Sequence, residues 1–219
     1  MIYLNETSSI HPERLDAHVR MFADELTPAM ARHDVRLLGL WQTWRTNELH
    51  AFWELDDHAA LDRLDAAARE DEALAACMRR AQADCVSWRS RTLRPTPFSP
   101  DLARVIADEL KGEIYLLAVI PLEPGKIREY LELFPQFGLV YEERYGLKTV
   151  GYWTGGGGEP YQSEAFTCTQ LCAGGNWAWW ARFSEQRAKD AEVQAWMKRA
   201  LGYRTHHKIS YLIPAYLPY

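Results

Sequence analysis

The sequence predicts an α+β fold: two tandem ferredoxin-like βαββαβ repeats that stack their sheets into an intramolecular αβ barrel. Three observations predict it. The first is an internal repeat in the 219-residue chain. Ile2-Tyr3-Leu4 recurs as Ile114-Tyr115-Leu116 and Gly39-Leu40-Trp41 as Gly151-Tyr152-Trp153, both 112 residues on. Met78-Arg79-Arg80-Ala81 recurs as Met197-Lys198-Arg199-Ala200, 119 residues on. Ordered matches at a near-constant offset mark a duplication. The step from 112 to 119 is an insertion at the glycine run 155–158, where the first repeat has only the turn 45–48. The second observation is Pro95, Pro97 and Pro100, which make an extended connector. It divides the chain into a first repeat (1–93), a linker with a short helix (94–111) and a second repeat (112–219). The third is the hydrophobic pattern, which reads strand, helix, strand, strand, helix, strand in both halves.

The elements follow in order. Residues 2–9 and 113–121 read as first strands. Pro12 and Pro124 suit a first helical turn, where a missing N–H leaves nothing unpaired. Leu15, Val19, Phe22 and Leu26 keep helical spacing, as do Ile127, Tyr130, Leu131 and Phe134. Pro28 and Pro135 then break or kink these helices. Second strands span 36–45 and 148–154, and hairpins lead to third strands at 49–55 and 165–171. Asp57 and Asn176 are N-caps for second helices over 59–83 and 177–201. Last strands span 86–93 and 205–213.

Such a sheet covers one face with helices and leaves the other bare, so stacking two bare faces hides apolar surface and encloses a cavity. Strand alternation puts Tyr3, Asn5, Tyr115, Trp41 and Trp153 on the inter-repeat side. On the third strand either Trp53, with Leu49 and Ala51, or His50, Phe52 and Glu54 point inward. On the last strands Trp88 and Tyr211 meet helices, and Arg89, Arg91, His206 and Lys208 share the other face. A slip of one residue inverts any of these assignments.

Composition limits the function. With 47% hydrophobic residues, 12% aromatic ones and a net charge of -5, the chain is globular and not disordered. The acidic balance argues against a nucleic-acid partner. The longest apolar run, 114–121, falls short of the ~18 residues of a membrane span. The first residues lack the basic segment and apolar core of a signal peptide, so a cytoplasmic protein is expected. Cys77, Cys85, Cys168 and Cys172 are then expected as free thiols. Nine tryptophans exceed the needs of an ordinary core, and part of them is expected to wall a cavity.

On the repeat, the Ile-Tyr-Leu openings, the Gly-x-Trp strands and the second helices ending in Met78 to Ala81 and Met197 to Ala200, the chain resembles the NIPSNAP family of the dimeric αβ-barrel superfamily. The resemblance covers nearly all of it outside 94–111. It implies a tandem ferredoxin-like fold with a central small-molecule cavity, and no single reaction. The superfamily includes cofactor-free monooxygenases, lactone isomerases, polyketide cyclases and haem-binding dehydratases and peroxidases. No catalytic motif of these branches is matched residue by residue.

The candidate chemistry is sparse. His206 or its neighbour His207 enters the cavity, since adjacent strand residues point to opposite sides, and serves as general base or haem ligand. The bland alternative is a hydrogen-bonded surface histidine. His50 and Glu54 share a strand face as an acid–base set, although ~13 Å apart along the strand. Arg89 and Lys208 would stabilise an anion, or else belong to a solvated charged edge. Trp41, Trp153, Trp53, Tyr3 and Tyr115 would bind substrate. Cys168 and Cys172 are too far apart on a strand for one zinc, so no metal site is expected. The glycine run 155–158 lacks the lysine of a phosphate loop and reads as a hairpin insertion or a lid. The leading expectation is a cofactor-free enzyme of biosynthetic metabolism. It would use general acid–base chemistry for cyclisation, isomerisation, elimination or oxygenation of an aromatic or polyketide-like substrate. A non-catalytic ligand-binding or interaction protein is the alternative, and a haem enzyme a further one. The chain is expected as a monomer with an internal pseudo-dimer, or as a homodimer.

Overall fold

A computed structural model describes residues 1–155, 167–206 and 208–219, with the backbone alone at 136–139. The chain divides into two compact units, Met1–Arg94 with Ile213–Tyr219, and Pro95–Leu212.

The first unit runs β1 (Ile2–Ile10), a 3-10 turn at Pro12–Arg14, α1 (Leu15–Met21), a π-helical segment (Phe22–Leu26) and α2 (Thr27–Ala31). β2 (Arg36–Thr43), β3 (Glu48–Leu55), α3 (Ala59–Glu70), α4 (Glu72–Ala83) and β4 (Cys85–Pro95) follow. Its strands pair antiparallel in the order β2-β3-β1-β4. The π-helical segment ends just before Pro28, which has no N–H to continue it, and the Phe22 carbonyl accepts from both the Thr27 amide and, at 2.8 Å, Thr27 Oγ1. The single helix expected over 59–83 is two. Asp71 is extended (φ -92°, ψ 96°) and caps α4 by accepting from the Ala73 and Leu74 amides at 3.0 Å. The apolar spacing continues across this break, which hides it from periodicity. On the helix side of the sheet, Ile2, Leu40, Ala51, Trp53 and Leu55 pack with Phe22, Leu26, Leu64 and Leu74.

The second unit runs α5 (Leu102–Ala107), β5 (Ile114–Pro121), α6 (Ile127–Glu132), α7 (Phe134–Tyr145), β6 (Lys148–Gly155) and β7 (Thr167–Gly174). α8 (Trp177–Lys189), α9 (Ala191–Leu201) and β8 (Lys208–Tyr216) complete it. Its strands pair as β6-β7-β5-β8. Asn176 caps α8 by accepting from the Trp179 amide at 3.0 Å. Asp190 splits the second expected helix as Asp71 splits the first. Aromatic rings fill the layer between helices and sheet: Phe134 stacks on Tyr152 at 3.9 Å, Trp179 on Phe183 at 5.2 Å, and Trp180 meets Tyr211 edge-on at 5.3 Å. Both units are thus α+β with the ferredoxin-like element order.

The Gly-x-Trp motif has a steric cause. A Cβ on Gly39 would sit 2.5 Å from the Trp41 ring, and one on Gly151 only 1.9 Å from the Trp153 ring. Each indole lies back over the glycine two residues before it. Both indoles are fully buried.

Candidate functional site

A cavity of about 340 Å³ lies within the first unit, between its sheet and its helices. Alternation along β1 aims Leu4, Glu6 and Ser8 at this layer, and Glu6 is the one carboxyl that β1, β3 and β4 bring to it. Trp53 Nε1 donates to Glu6 Oε2 at 2.8 Å, and the Trp88 indole donates to the same carboxylate. Burial raises the Glu6 pKa, and the two indole hydrogen bonds only partly oppose this. Phe22 lies against Trp53 with ring centroids 5.3 Å apart. Trp88 is half-exposed and spans from the cavity to solvent. On α1, His18 is buried, with Nδ1 3.3 Å from Asp84 Oδ2. Burial lowers its pKa against the pull of Asp84, which favours a neutral ring. Cys85 also lines the cavity, and its Sγ donates to the Ala81 carbonyl at 3.1 Å. Burial first, then the Asp84 and Glu6 charges, push its pKa up, so it is a thiol and not a thiolate. No lysine or arginine is among the described residues that line the space.

The match to known families falls on this half of the chain. Residues 6–100 match the NIPSNAP family model. The first repeat is thus similar to a NIPSNAP domain. No curated protein matches the sequence. Among solved structures, a candidate monooxygenase from Lactobacillus acidophilus NCFM is similar over 99% of this chain and 94% of its own, at 9% identity and TM-score 0.68. An anthrone oxidase-like protein is similar over 97% and 90%, at 10% identity and TM-score 0.64. A candidate chlorite dismutase is similar over 98% and 96%, at 13% identity and TM-score 0.53. At such identities the likeness carries the fold and not the activity. Among the described residues no helix is long and apolar enough to cross a membrane.

The side chains around this cavity differ from those at the matching positions of the second repeat. Where the first repeat has Leu40, Leu61, Leu64 and Cys77, the second repeat has Tyr152, Trp180, Phe183 and Trp196, all buried. Ala118 stands at the position of Glu6, and Tyr130 at that of His18. The sheet and helices therefore form without a carboxyl at this place, so Glu6 is no requirement of the fold.

Of the residues singled out from sequence, Trp53 lines the cavity and the others do not. His50, Phe52 and Glu54 take the sheet face opposite to Trp53. His50 is held on both nitrogens: Nδ1 lies 3.2 Å from Thr7 Oγ1, and Nε2 3.0 Å from Thr43 Oγ1 and 3.1 Å from Glu48 Oε1. Glu54 is buried, accepts from the Tyr3 hydroxyl and pairs with Arg36 at 2.6 Å. Trp41 meets Phe52 edge-on at 5.9 Å. The buried Tyr115 hydroxyl accepts from the Gly112 amide at 3.0 Å. Arg89 and Lys208 are exposed. Arg91 donates to Asn5 Oδ1 at 3.0 Å. The expected strand position of His206 is corrected. β8 begins at Lys208, because the chain first turns and bridges Arg204 to Leu122, and His206 is exposed beside Thr205. His207 and residues 156–166, with most of the glycine run, lie outside the described residues. Cys168 and Cys172 are buried free thiols, and burial pushes both up to about 12. Among the described residues no group of three His, Cys, Asp or Glu side chains could hold a metal ion. Sequence reasoning passed over Glu6, His18 and Asp84. One signal was available: Glu6 is an acid on a strand face that otherwise begins Ile2, Leu4.

Proposed function

We propose that the cavity of the first repeat is the active site of a small-molecule enzyme. It works by general acid–base chemistry on an aromatic or polyketide-like substrate, without a bound metal. The observation that carries this reading is the carboxyl of Glu6, set in an apolar chamber where the second repeat has aromatic rings at matching positions. Its raised pKa brings the protonated form towards working pH, as a proton donor and acceptor requires. His18 complements it. With Nδ1–H directed to Asp84, Nε2 carries the lone pair and acts as a base. Trp53 and Phe22 present flat apolar surface to a ring. Proton removal and return at a carbon next to a carbonyl underlies cyclisation, isomerisation and elimination alike. The likeness to a candidate monooxygenase and an anthrone oxidase-like protein supports small-molecule chemistry on this fold.

The test is turnover of a panel of enolisable aromatic ketones by the wild type, Glu6→Gln and His18→Gln. Loss of general acid–base catalysis lowers kcat by about 10²–10⁴-fold. Unchanged turnover in both folded variants overturns the reading. A Soret band in protein purified from haem-replete cells overturns its cofactor-free part.

A further inference from the structure

We infer that the cavity selects neutral aromatic molecules carrying a hydrogen-bond-accepting carbonyl, and rejects carboxylates and phosphates. This rests on the cavity being the substrate site. The reason is the charge of its lining. The described residues around the space include the carboxyl groups of Glu6 and Asp65 and no lysine or arginine. An anionic ligand would leave water with no counter-charge in the lining, which is the costly case for a buried ion. Arg89 and Lys208 do not remedy this, since both are exposed and neither lines the space.

The polar handle is equally restricted. Glu6 takes N–H donors from Trp53 and Trp88, and when neutral it also has a proton of its own to donate. A ligand carbonyl is the acceptor that fits, with its ring against Phe22 and Trp53. The other titratable groups facing Glu6 are His18 from α1, backed by Asp84, Asp65 from α3 and Cys85 from β4. The helix α4 contributes Met78, Ala81 and Gln82, which do not titrate. Burial keeps His18 and Cys85 uncharged, and Asp65 is exposed on α3. Glu6 is therefore the group whose protonation binding should follow.

Three ring-matched probes test this by calorimetry on the full chain: 1-acetylnaphthalene, 1-naphthoate and 1-naphthylmethylammonium. The ketone is expected to bind at least about tenfold more tightly than the naphthoate, which enters unpaired. Its affinity is expected to fall as pH rises through the Glu6 pKa. In Glu6→Gln the amide still donates, so ketone binding persists and its pH dependence vanishes. In His18→Gln the dependence remains. Naphthoate binding as tightly as the ketone overturns the inference and leaves the acid–base reading standing. The same holds for an ammonium probe that binds best. Failure of all three to bind overturns both. The comparison of probes on the wild type needs no variant to fold.

Discussion

At Glu6, folding and chemistry pull in opposite directions. Its carboxyl is raised above the unfolded value of 4.5 by burial. Between the unfolded and folded pKa values the native state binds the extra proton, so stability falls as pH rises through that window. Glu6→Gln removes the penalty. The variant is expected to melt higher than wild type near pH 8, with the gap closing towards pH about 4, as thermal unfolding at the two pH values will show. A gain that does not change with pH would mean that the carboxyl is not the cause. Gly151 is a second residue with a sharp expectation. A methyl there would meet the Trp153 ring at 1.9 Å. Gly151→Ala should cost about 1–3 kcal/mol or more in denaturant unfolding, the range for overpacking a filled site. The Gly-x-Trp motif was legible as a pair of strand residues, yet its cause was not. The sequence shows that Trp153 follows Gly151 by two, not that the indole folds back over it. Glu6 was legible as an odd acid on an apolar face, but which face the helices cover depends on pairing between strands far apart in sequence.

At the scale of elements, the aspartates that divide the second helices matter most. Asp190 accepts from the Tyr145 hydroxyl at 2.6 Å and from the Glu192 and Val193 amides at 3.0 and 3.2 Å, and pairs with Arg144 at 3.0 Å. These contacts, the tyrosine hydrogen bond foremost, hold its carboxyl down at about 2. A depressed folded pKa stabilises above the unfolded value of 3.8 and loses that contribution as pH falls towards about 2. Asp190→Ala is expected to lower the melting temperature at neutral pH and to make no difference at the acid end of this window. Circular dichroism at 222 nm checks both limbs. The helices themselves were legible from spacing and their first caps. The breaks were not, because Asp71 and Asp190 interrupt the backbone while the apolar spacing runs on. The late start of β8 was hidden for a related reason. Thr205, His206 and Lys208 read as strand by composition, and only the bridge from Arg204 to Leu122 delays it.

At the scale of the whole molecule, the two copies of the duplication differ in the layer between sheet and helices, with aliphatic side chains in the first where the second has aromatic rings. The repeat was legible from offsets alone, and so was the ferredoxin-like order of each half. The place of the cavity was not. Sequence alternation pointed to Trp41 and Trp153 on the face away from the helices, where both are buried. What decides the matter is volume, and volume appears only when Leu61 and Leu64 are set beside Trp180 and Phe183 in matching layers. Grafting these second-repeat residues into the first, Leu61→Trp with Leu64→Phe, is expected to fill the space and keep the fold. Binding of 1-acetylnaphthalene by calorimetry should then be lost, from a wild-type stoichiometry of one per chain. The most direct measurement is a crystal structure of the protein soaked in that ketone. The expected result is density for one naphthalene in the cavity against Trp53 and Phe22, with its carbonyl oxygen in hydrogen-bond reach of the Glu6 carboxyl. Density against Trp41 or Trp153, with the space beside Glu6 holding only water, would contradict it.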